Sequence, residues 1–286
     1  MWRLRTLSRG QPDQCAGIRY LIALEGECSV RTRKARLFIL FVLVCILVVL
    51  LQQTVGMPFA TWLQTLSRWV GQTASAGVEE PPAWSEQAAP DYYQVVGPAV
   101  LDAVPERGEV TYAPLDALGR AGRVVACVDA QLAEEGAMRE RQNMSDIKPS
   151  GWGYNEEVDI PLPDGGTYHG YMWNRSHLLA KSLGGQEIAE NLVCGTRMQN
   201  VGANRRGEEG GMAYAEKLAR DWLNEHPDGW LYYCATPCYA GNEPVCRCVV
   251  VDMRSSDGSL DSEVVVYNAA KGFRINYADG SFAPQS

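Results

Sequence analysis

Apolar and polar positions divide the chain into two parts of different character. Residues 37–51 are apolar without interruption, whereas residues 71–91 are rich in Ala, Pro, Glu and Ser and show no period. From Tyr92 onward, short apolar runs alternate with turn residues, as in a folded domain. The pattern therefore predicts one globular domain at 92–286, preceded by a linker at 56–91.

Within this domain the periodicity predicts both strands and helices. Strands are expected at 124–128, 167–173, 230–236, 246–253, 262–267 and 273–277, and helices at 131–141 and 211–226. The second helix carries an apolar face and stops at Pro227-Asp228-Gly229, which is typical helix-end chemistry. Strands separated by polar turns, with few helices, predict an α+β fold on a central antiparallel sheet.

The apolar run predicts a targeting segment. It is shorter than the about 20 residues of a spanning helix, but mild residues extend it to a signal anchor at 37–55. The basic residues upstream predict that 1–36 is cytoplasmic and that the domain lies outside the cell membrane. A cleaved signal peptide, giving a secreted protein, is the alternative, although the A-x-A triplet at 74–76 lies far downstream. Residues 1–29 lack a clear pattern, so translation starting near Val30 is a further hypothesis.

Composition changes this picture only locally. The chain has 286 residues, of which 46% are hydrophobic and 21% charged, as in ordinary globular proteins. A net charge of −8 argues against nucleic-acid binding through bulk positive potential. Residues 175–206 are the exception, because their bases outnumber their acids. The bases are Arg175, Lys181, Arg197, Arg205 and Arg206, and the acids are Glu187 and Glu190.

Six cysteines follow the apolar run: Cys127, Cys194, Cys234, Cys238, Cys246 and Cys248. An even number outside the cell predicts disulfides, with free thiols and a zinc site as alternatives. Cys238 and Cys246 flank the Gly241-Asn242 turn, and we expect this pair to be bonded. The zinc alternative lacks a nearby histidine and the usual C-x2-C spacing.

The basic segment holds the residue types that phosphodiester cleavage requires. His177 is the candidate general base, since its side chain titrates near neutral pH. Asn200 offers an oxygen ligand suited to Mg²⁺, with Mn²⁺ as an alternative, and Glu216 is expected to hold a water at the metal. Arg175 and either Arg205 or Arg206 are predicted to grip phosphate oxygens.

Each of these residues also has a purely structural interpretation. His177 is compatible with a structural role after an aromatic strand, and Asn191 and Asn200 with capping of turns or helices. The two arginines at 205–206 fit a solvated loop, and Glu216 is spaced to pair with Arg220 at i,i+4.

The ordered motifs resemble those of the DNA/RNA non-specific endonuclease family, including secreted and membrane-anchored DNases of Gram-positive bacteria. The motifs are N-R-S-H-L-L at 174–179, E-N-L-V-C-G-T-R-M-Q-N at 190–200 and M-A-Y-A-E at 212–216, and the likeness runs from about Pro114 to the C-terminus. The family's signature D-R-G-H reads Asn174-Arg175-Ser176-His177 here, so two of its positions differ.

The resemblance implies a ββα-metal (His-Me) finger on a central antiparallel sheet. It implies His177 as general base, Asn200 as the single protein ligand of Mg²⁺ and Glu216 as the water-holding residue. Asn191 would be a supporting amide and Arg175 the motif arginine. Phosphate binding is expected at Arg197, Arg205 and Arg206.

The predicted function is therefore sequence-non-specific, metal-dependent cleavage of DNA, with RNA as an alternative substrate. No protein partner is expected, and the N-terminal anchor predicts a membrane contact. Two other functions stay open: an antibacterial nuclease toxin, and a catalytically silent surface protein that binds extracellular DNA.

Overall fold

A central sheet of six antiparallel strands organises the domain, in the order β1-β10-β9-β8-β3-β2. It is seen in a computed structural model that describes residues 81–203 and 209–285. The strands are β1 (Tyr93–Gly97), β2 (Val110–Tyr112), β3 (Val124–Asp129), β8 (Trp230–Cys238), β9 (Cys248–Ser255) and β10 (Asp261–Tyr267). The predicted antiparallel sheet is confirmed, although β1 and β2 at its two edges were not expected.

Two helices cover one face of this sheet. They are α1 (Ala130–Met138) and α3 (Met212–Glu225). Asp129 caps α1 by accepting a hydrogen bond from Leu132 N at 2.9 Å. The apolar face of α3 packs into the main core. These buried residues are the ones whose spacing predicted the helix.

Three small two-stranded sheets lie beside the central one. They pair β4 (Glu157–Pro161) with β5 (Thr167–Tyr171), β6 (Trp173–His177) with β7 (Leu192–Thr196), and β11 (Phe273–Asn276) with β12 (Ser281–Pro284). A short helix, α2 (Arg197–Val201), follows β7 directly. The single strand predicted at 167–173 is wrong, because the chain changes partner at Met172. Met172 N donates to Glu156 O at 3.0 Å, and Met172 O accepts from Arg197 N at 2.8 Å.

The structure describes the last part of the predicted linker, residues 81–91. Trp84 stacks on Tyr92 with 4.9 Å between ring centroids, and its Nε1 donates to Ala89 O at 2.9 Å. Both Ala89 and Trp84 belong to an apolar cluster on the far face of the sheet. Trp84 and Ala89 therefore pack against the domain, whereas residues 85–88 are exposed.

The predicted N-terminal segments lie outside the described residues. These are the cytoplasmic segment 1–36, the membrane anchor 37–55 and the linker residues 56–80. Within 81–203 and 209–285, the structure contains no helix with the length and apolar character needed to cross a membrane.

All six cysteines of the domain are buried free thiols. The expected disulfide between Cys238 and Cys246 is not formed, and the strand register instead places Cys248 opposite Cys238. The part of the chain that the structure describes has no cluster of three or more His, Cys, Asp or Glu side chains able to hold a metal. The zinc alternative for these cysteines is therefore not supported.

A buried amide joins the central sheet to the small β6–β7 sheet. Asn268, which is fully buried, accepts a hydrogen bond from Thr196 N at 2.8 Å. Its Nδ2 donates to Cys194 O at 3.0 Å and to Cys246 O at 2.8 Å. One side chain thus satisfies three backbone groups from two distant segments.

We expect Asn268→Ala to lower the free energy of unfolding by about 2–4 kcal/mol, because it leaves these buried backbone groups without a partner. Urea denaturation of the purified protein measures the change. Asn143→Ala is the matched control, since Asn143 is exposed and only accepts from Ser145 N at 2.9 Å. Equal losses in the two variants would contradict the bridging role of Asn268.

Candidate active site

The candidate site is built on the β6–β7 hairpin and the helix that follows it. The two strands pair in one register, with Trp173 opposite Thr196 and His177 opposite Leu192. Thr196 ends β7 and caps α2, because its Oγ1 accepts from Gln199 N at 2.9 Å. The same hydroxyl donates to Ala269 O at 2.8 Å, which fixes the cap against the domain. The chain therefore turns from β7 into α2 at once, and Asn200 lies on this helix.

Asn200 is held against the motif strand. Ser176 is fully buried, and its Oγ donates to Oδ1 of Asn200 at 3.2 Å. The close approach depends on Gly195, where a Cβ atom would lie 2.1 Å from Gln199 Oε1 and 2.7 Å from Ser176 Cβ. The serine at the motif's glycine position thus contacts the predicted metal ligand directly.

His177 ends β6 with a buried ring nitrogen. Its Nε2 is inaccessible to solvent and has no hydrogen-bond partner among the described residues. Burial lowers the pKa of His177, the charge of Glu187 opposes this shift, and Arg141 adds to it. The ring is therefore neutral at pH 7, and a neutral imidazole keeps one nitrogen that can accept a proton.

Asn191 fixes the backbone just beyond His177. Its Oδ1 accepts from Leu179 N at 2.9 Å, and its Nδ2 donates to Leu179 O at 2.9 Å and to Gln186 O at 2.7 Å. Its own carbonyl accepts from Leu178 N at 2.9 Å. The amide is fully buried and fully used, so it supports the site from within the loop.

Arg175 is directed toward a neighbouring loop. Its Nε donates to Ile147 O at 2.6 Å and its Nη2 to Ser145 O at 2.9 Å. The guanidinium also lies 4.3 Å from the ring centroid of Trp152. These contacts tie residues 145–152 to the motif strand and occupy the face and two nitrogens of the arginine.

Glu216 lies on α3 and pairs with Arg220, whose Nη1 is 3.6 Å from its Oε2. This is the i,i+4 contact that the spacing allowed. Burial raises the pKa of Glu216, and Arg220 counteracts this shift. Arg220 also donates to Ser182 Oγ at 3.2 Å, which links α3 to the loop after His177.

Tyr233 of β8 lies between Glu216 and this loop. Its hydroxyl donates to Leu178 O at 3.3 Å, directly after His177. Burial raises the pKa of Tyr233 well above its usual value, and the charge of Glu216 adds to the effect. Glu216 and His177 therefore belong to one connected region of the domain.

Three further arginines were predicted to bind phosphate, and Arg197 is the one that lies within the described residues. Arg197 lies 4.9 Å from the ring centroid of Tyr168, and burial lowers its pKa. The Arg205 and Arg206 positions lie outside the described residues.

The sequence interpretation missed Arg141 and Glu187, the two charges that act on His177. Glu187 is buried, and its Oε2 accepts from Gln142 N at 3.0 Å. A cleft of about 310 Å³ adjoins them, lined by Arg139, Gln142, Gln186, Glu187 and Ile188. The one available signal was that Glu187 is an acid within the otherwise basic segment.

The oxygen-bearing side chains near the motif strand could hold a divalent metal. Asn200 on α2 offers a neutral amide oxygen, and Glu216 offers a carboxylate on α3, which contacts α2. Gln199 adds a fully buried amide whose oxygen and nitrogen both lack partners among the described residues. Amide and carboxylate oxygens suit Mg²⁺ or Mn²⁺, whereas structural zinc requires four Cys or His ligands.

Comparisons with known proteins show to which family the chain belongs. Residues 123–280 match the family model described as "DNA/RNA non-specific endonuclease". A protein named "Deoxyribonuclease" from Streptococcus dysgalactiae subsp. equisimilis is 31% identical over 245 residues, covering 68% of this chain and 74% of that protein.

Solved structures show the same fold. The structure of Sda1 nuclease with bound zinc ion superimposes with a TM-score of 0.67 at 32% identity, covering 71% of this chain and 100% of that one. NucA from Streptococcus agalactiae with magnesium bound has a TM-score of 0.51 at 22% identity, covering 66% and 84%. The second likeness concerns the fold alone.

The two charges near His177 predict opposite changes in its pKa. Arg141→Gln removes a cation that disfavours imidazolium, so the pKa of His177 should rise. Glu187→Gln removes a carboxylate that favours imidazolium, so the pKa should fall further below its usual value of about 6.5.

NMR titration of the Cε1 proton measures this pKa, and the chain has only 3 histidines to assign. His169 is the internal control, because its pKa is raised by the hydrogen bond to Asp159 and should not change in either variant. Shifts of the same sign in the two variants would contradict the assignment of Arg141 and Glu187 as neighbours of His177.

Proposed function

Because the chain belongs to the DNA/RNA non-specific endonuclease family, we propose that it hydrolyses phosphodiester bonds of DNA outside the cell. RNA is a further substrate of the same site, and no sequence preference is expected, since no base-reading module is recognisable. The observation that carries this proposal is the arrangement of β6, β7 and α2, in which the neutral His177 ends the motif strand and Asn200 on α2 is held against that strand by Ser176.

His177 acts as the general base. A neutral imidazole takes a proton from the attacking water, whose oxygen then forms a bond to phosphorus while a P–O bond to the leaving oxygen breaks. The lowered pKa keeps the base unprotonated through the neutral range. Asn191 and Tyr233 hold the backbone directly after His177.

Asn200 is the residue that would hold a divalent cation, with Mg²⁺ proposed and Mn²⁺ as the alternative. Two relatives have solved structures with zinc or with magnesium bound, so a divalent metal fits the family fold. When bound, the metal supplies positive charge that stabilises the phosphate and the leaving oxygen. Ser176 orients the Asn200 amide through its hydrogen bond. The β6–β7–α2 unit then corresponds to a ββα-metal finger.

Glu216 has the role of orienting a water by accepting its hydrogen. Burial raises the pKa of Glu216, and Arg220 opposes this shift by favouring the charged form. Arg197, Arg205 and Arg206 are proposed to contact substrate phosphates. Arg175 acts by position, because its guanidinium holds residues 145–152 beside the motif strand.

We also propose that the domain is exported. The apolar run 37–51 with basic residues before it supports export, as a signal anchor spanning 37–55 or as a cleaved signal. N-terminal sequencing of the native protein distinguishes the two, because only the anchored form retains this run.

The full-length protein should degrade both plasmid and linear DNA with Mg²⁺ and lose this activity in EDTA. His177→Ala should reduce the cleavage rate by about 10²–10⁴-fold, the usual contribution of a general base. His169→Ala is the control, because His169 is an exposed histidine paired with Asp159 at 2.7 Å. Intact DNA bound by the wild-type protein would favour a silent DNA-binding function instead.

Asn200→Ala should abolish Mn²⁺ binding, and Ser176→Ala should weaken it by about tenfold, because the amide loses its orienting donor. Calorimetric titration with Mn²⁺ alone measures both effects without substrate. Asn143→Ala, a change in an exposed turn, should bind Mn²⁺ as the wild type does. Unchanged binding by Asn200→Ala would refute the ligand assignment and leave the nuclease function standing.

A further inference from the structure

Two cysteines face each other across neighbouring strands of the central sheet. The β8–β9 register places Cys238 directly opposite Cys248. Both lie on the sheet face away from the main core and pack with Ala89, Val265 and Tyr267. Their exposed fractions are 8% for Cys238 and 1% for Cys248.

The two thiols already interact. The neighbouring Cys248 lowers the pKa of Cys238, and Cys238 raises that of Cys248, while Cys238 Sγ also donates to Thr236 O at 3.6 Å. Directly opposite residues in antiparallel strands have Cα atoms about 4.5–5.5 Å apart, which lies within the range that a disulfide bridges. The backbone therefore needs no large movement for the sulfur atoms to bond.

We propose that Cys238 and Cys248 form a cross-strand disulfide when the chain folds in an oxidising compartment. The oxidant is a disulfide compound, either a thiol–disulfide oxidoreductase or a small molecule such as oxidised glutathione. The Cys238 thiolate attacks the oxidant to give a mixed disulfide, and the Cys248 sulfur then displaces the bound half. Two protons leave the cysteines, and the oxidant takes up two electrons as thiols.

None of the other four described cysteines lies opposite a cysteine in a strand register. In the strand registers Cys127 lies opposite Tyr232 and Cys234 opposite Val125. Cys194 lies opposite Arg175. Cys246 precedes β9, and its Sγ lies 3.9 Å from Asn268 Nδ2. These cysteines should remain thiols.

The disulfide would close the loop at 239–247, and this loop contacts Ser150 and Arg120. Ser150 Oγ donates to Pro244 O at 2.7 Å, and Arg120 Nη1 donates to Gly241 O at 2.8 Å. Trp152, two residues after Ser150, supports Arg175 of the motif strand. The disulfide therefore stabilises the loop that packs against this wall of the site.

Peptide mapping identifies the bond directly. The full-length protein is refolded with oxidised glutathione, alkylated and denatured without reduction, and cut by trypsin after Arg247 and by chymotrypsin after Tyr239. These cuts separate Cys238, Cys246 and Cys248 into three peptides. The peptide that starts at Cys248 should be linked to the one that contains Cys238, and Cys246 should be alkylated.

Single variants assign the link. Cys234→Ser should retain it, although Cys234 shares a peptide with Cys238, whereas Cys238→Ser should abolish it. Reductant should lower the Tm of the oxidised wild type by about 5–10 °C and leave that of Cys248→Ser unchanged. Alkylation of both Cys238 and Cys248 in the refolded protein, or a link from Cys238 to Cys246, would overturn the proposal.

Discussion

The register of the β6–β7 pair is the constraint on which the site depends. Side chains alternate along a strand, so a slip of one residue would exchange the faces of Ser176 and His177. Buried amides hold the register at both ends of the hairpin. Asn191 clamps the chain beyond His177, and Asn268 ties β7 to the central sheet through Thr196 and Cys194. The geometry of the proposed site is thus maintained by groups that need not touch a substrate.

Close packing between α2 and the β6–β7 pair explains one of the two positions at which the motif differs from its family. Gly195 leaves the space that lets Gln199 and Ser176 approach each other. Ser176 uses this proximity to donate to Asn200, so the serine at the family's glycine position adds an orienting contact. No contact among the described residues explains Asn174 in place of the family's aspartate.

Opposing effects set the pKa of His177 within an acidic domain. Burial and Arg141 favour the neutral ring, whereas Glu187 favours the charged one, and burial has the largest effect. The overall charge of −8 is therefore a poor guide to the site. The immediate surroundings of one imidazole decide its protonation, and these come from loop residues on either side of the motif strand.

The sequence by itself determined the antiparallel sheet, the long helix α3 and the motif that contains His177. Long helices and strands can be recognised from the spacing of their apolar residues, because one face of each must be buried. Only the tertiary structure decided the short elements β1, β2 and α2, which are stable because of what they pack against. It also decided that Arg175 binds the carbonyls of 145–147, that Asn191 clamps a loop and that Cys238 faces Cys248. These partners depend on how the strands and loops pair in space, and that pairing brings together residues whose spacing along the chain carries no periodic signal.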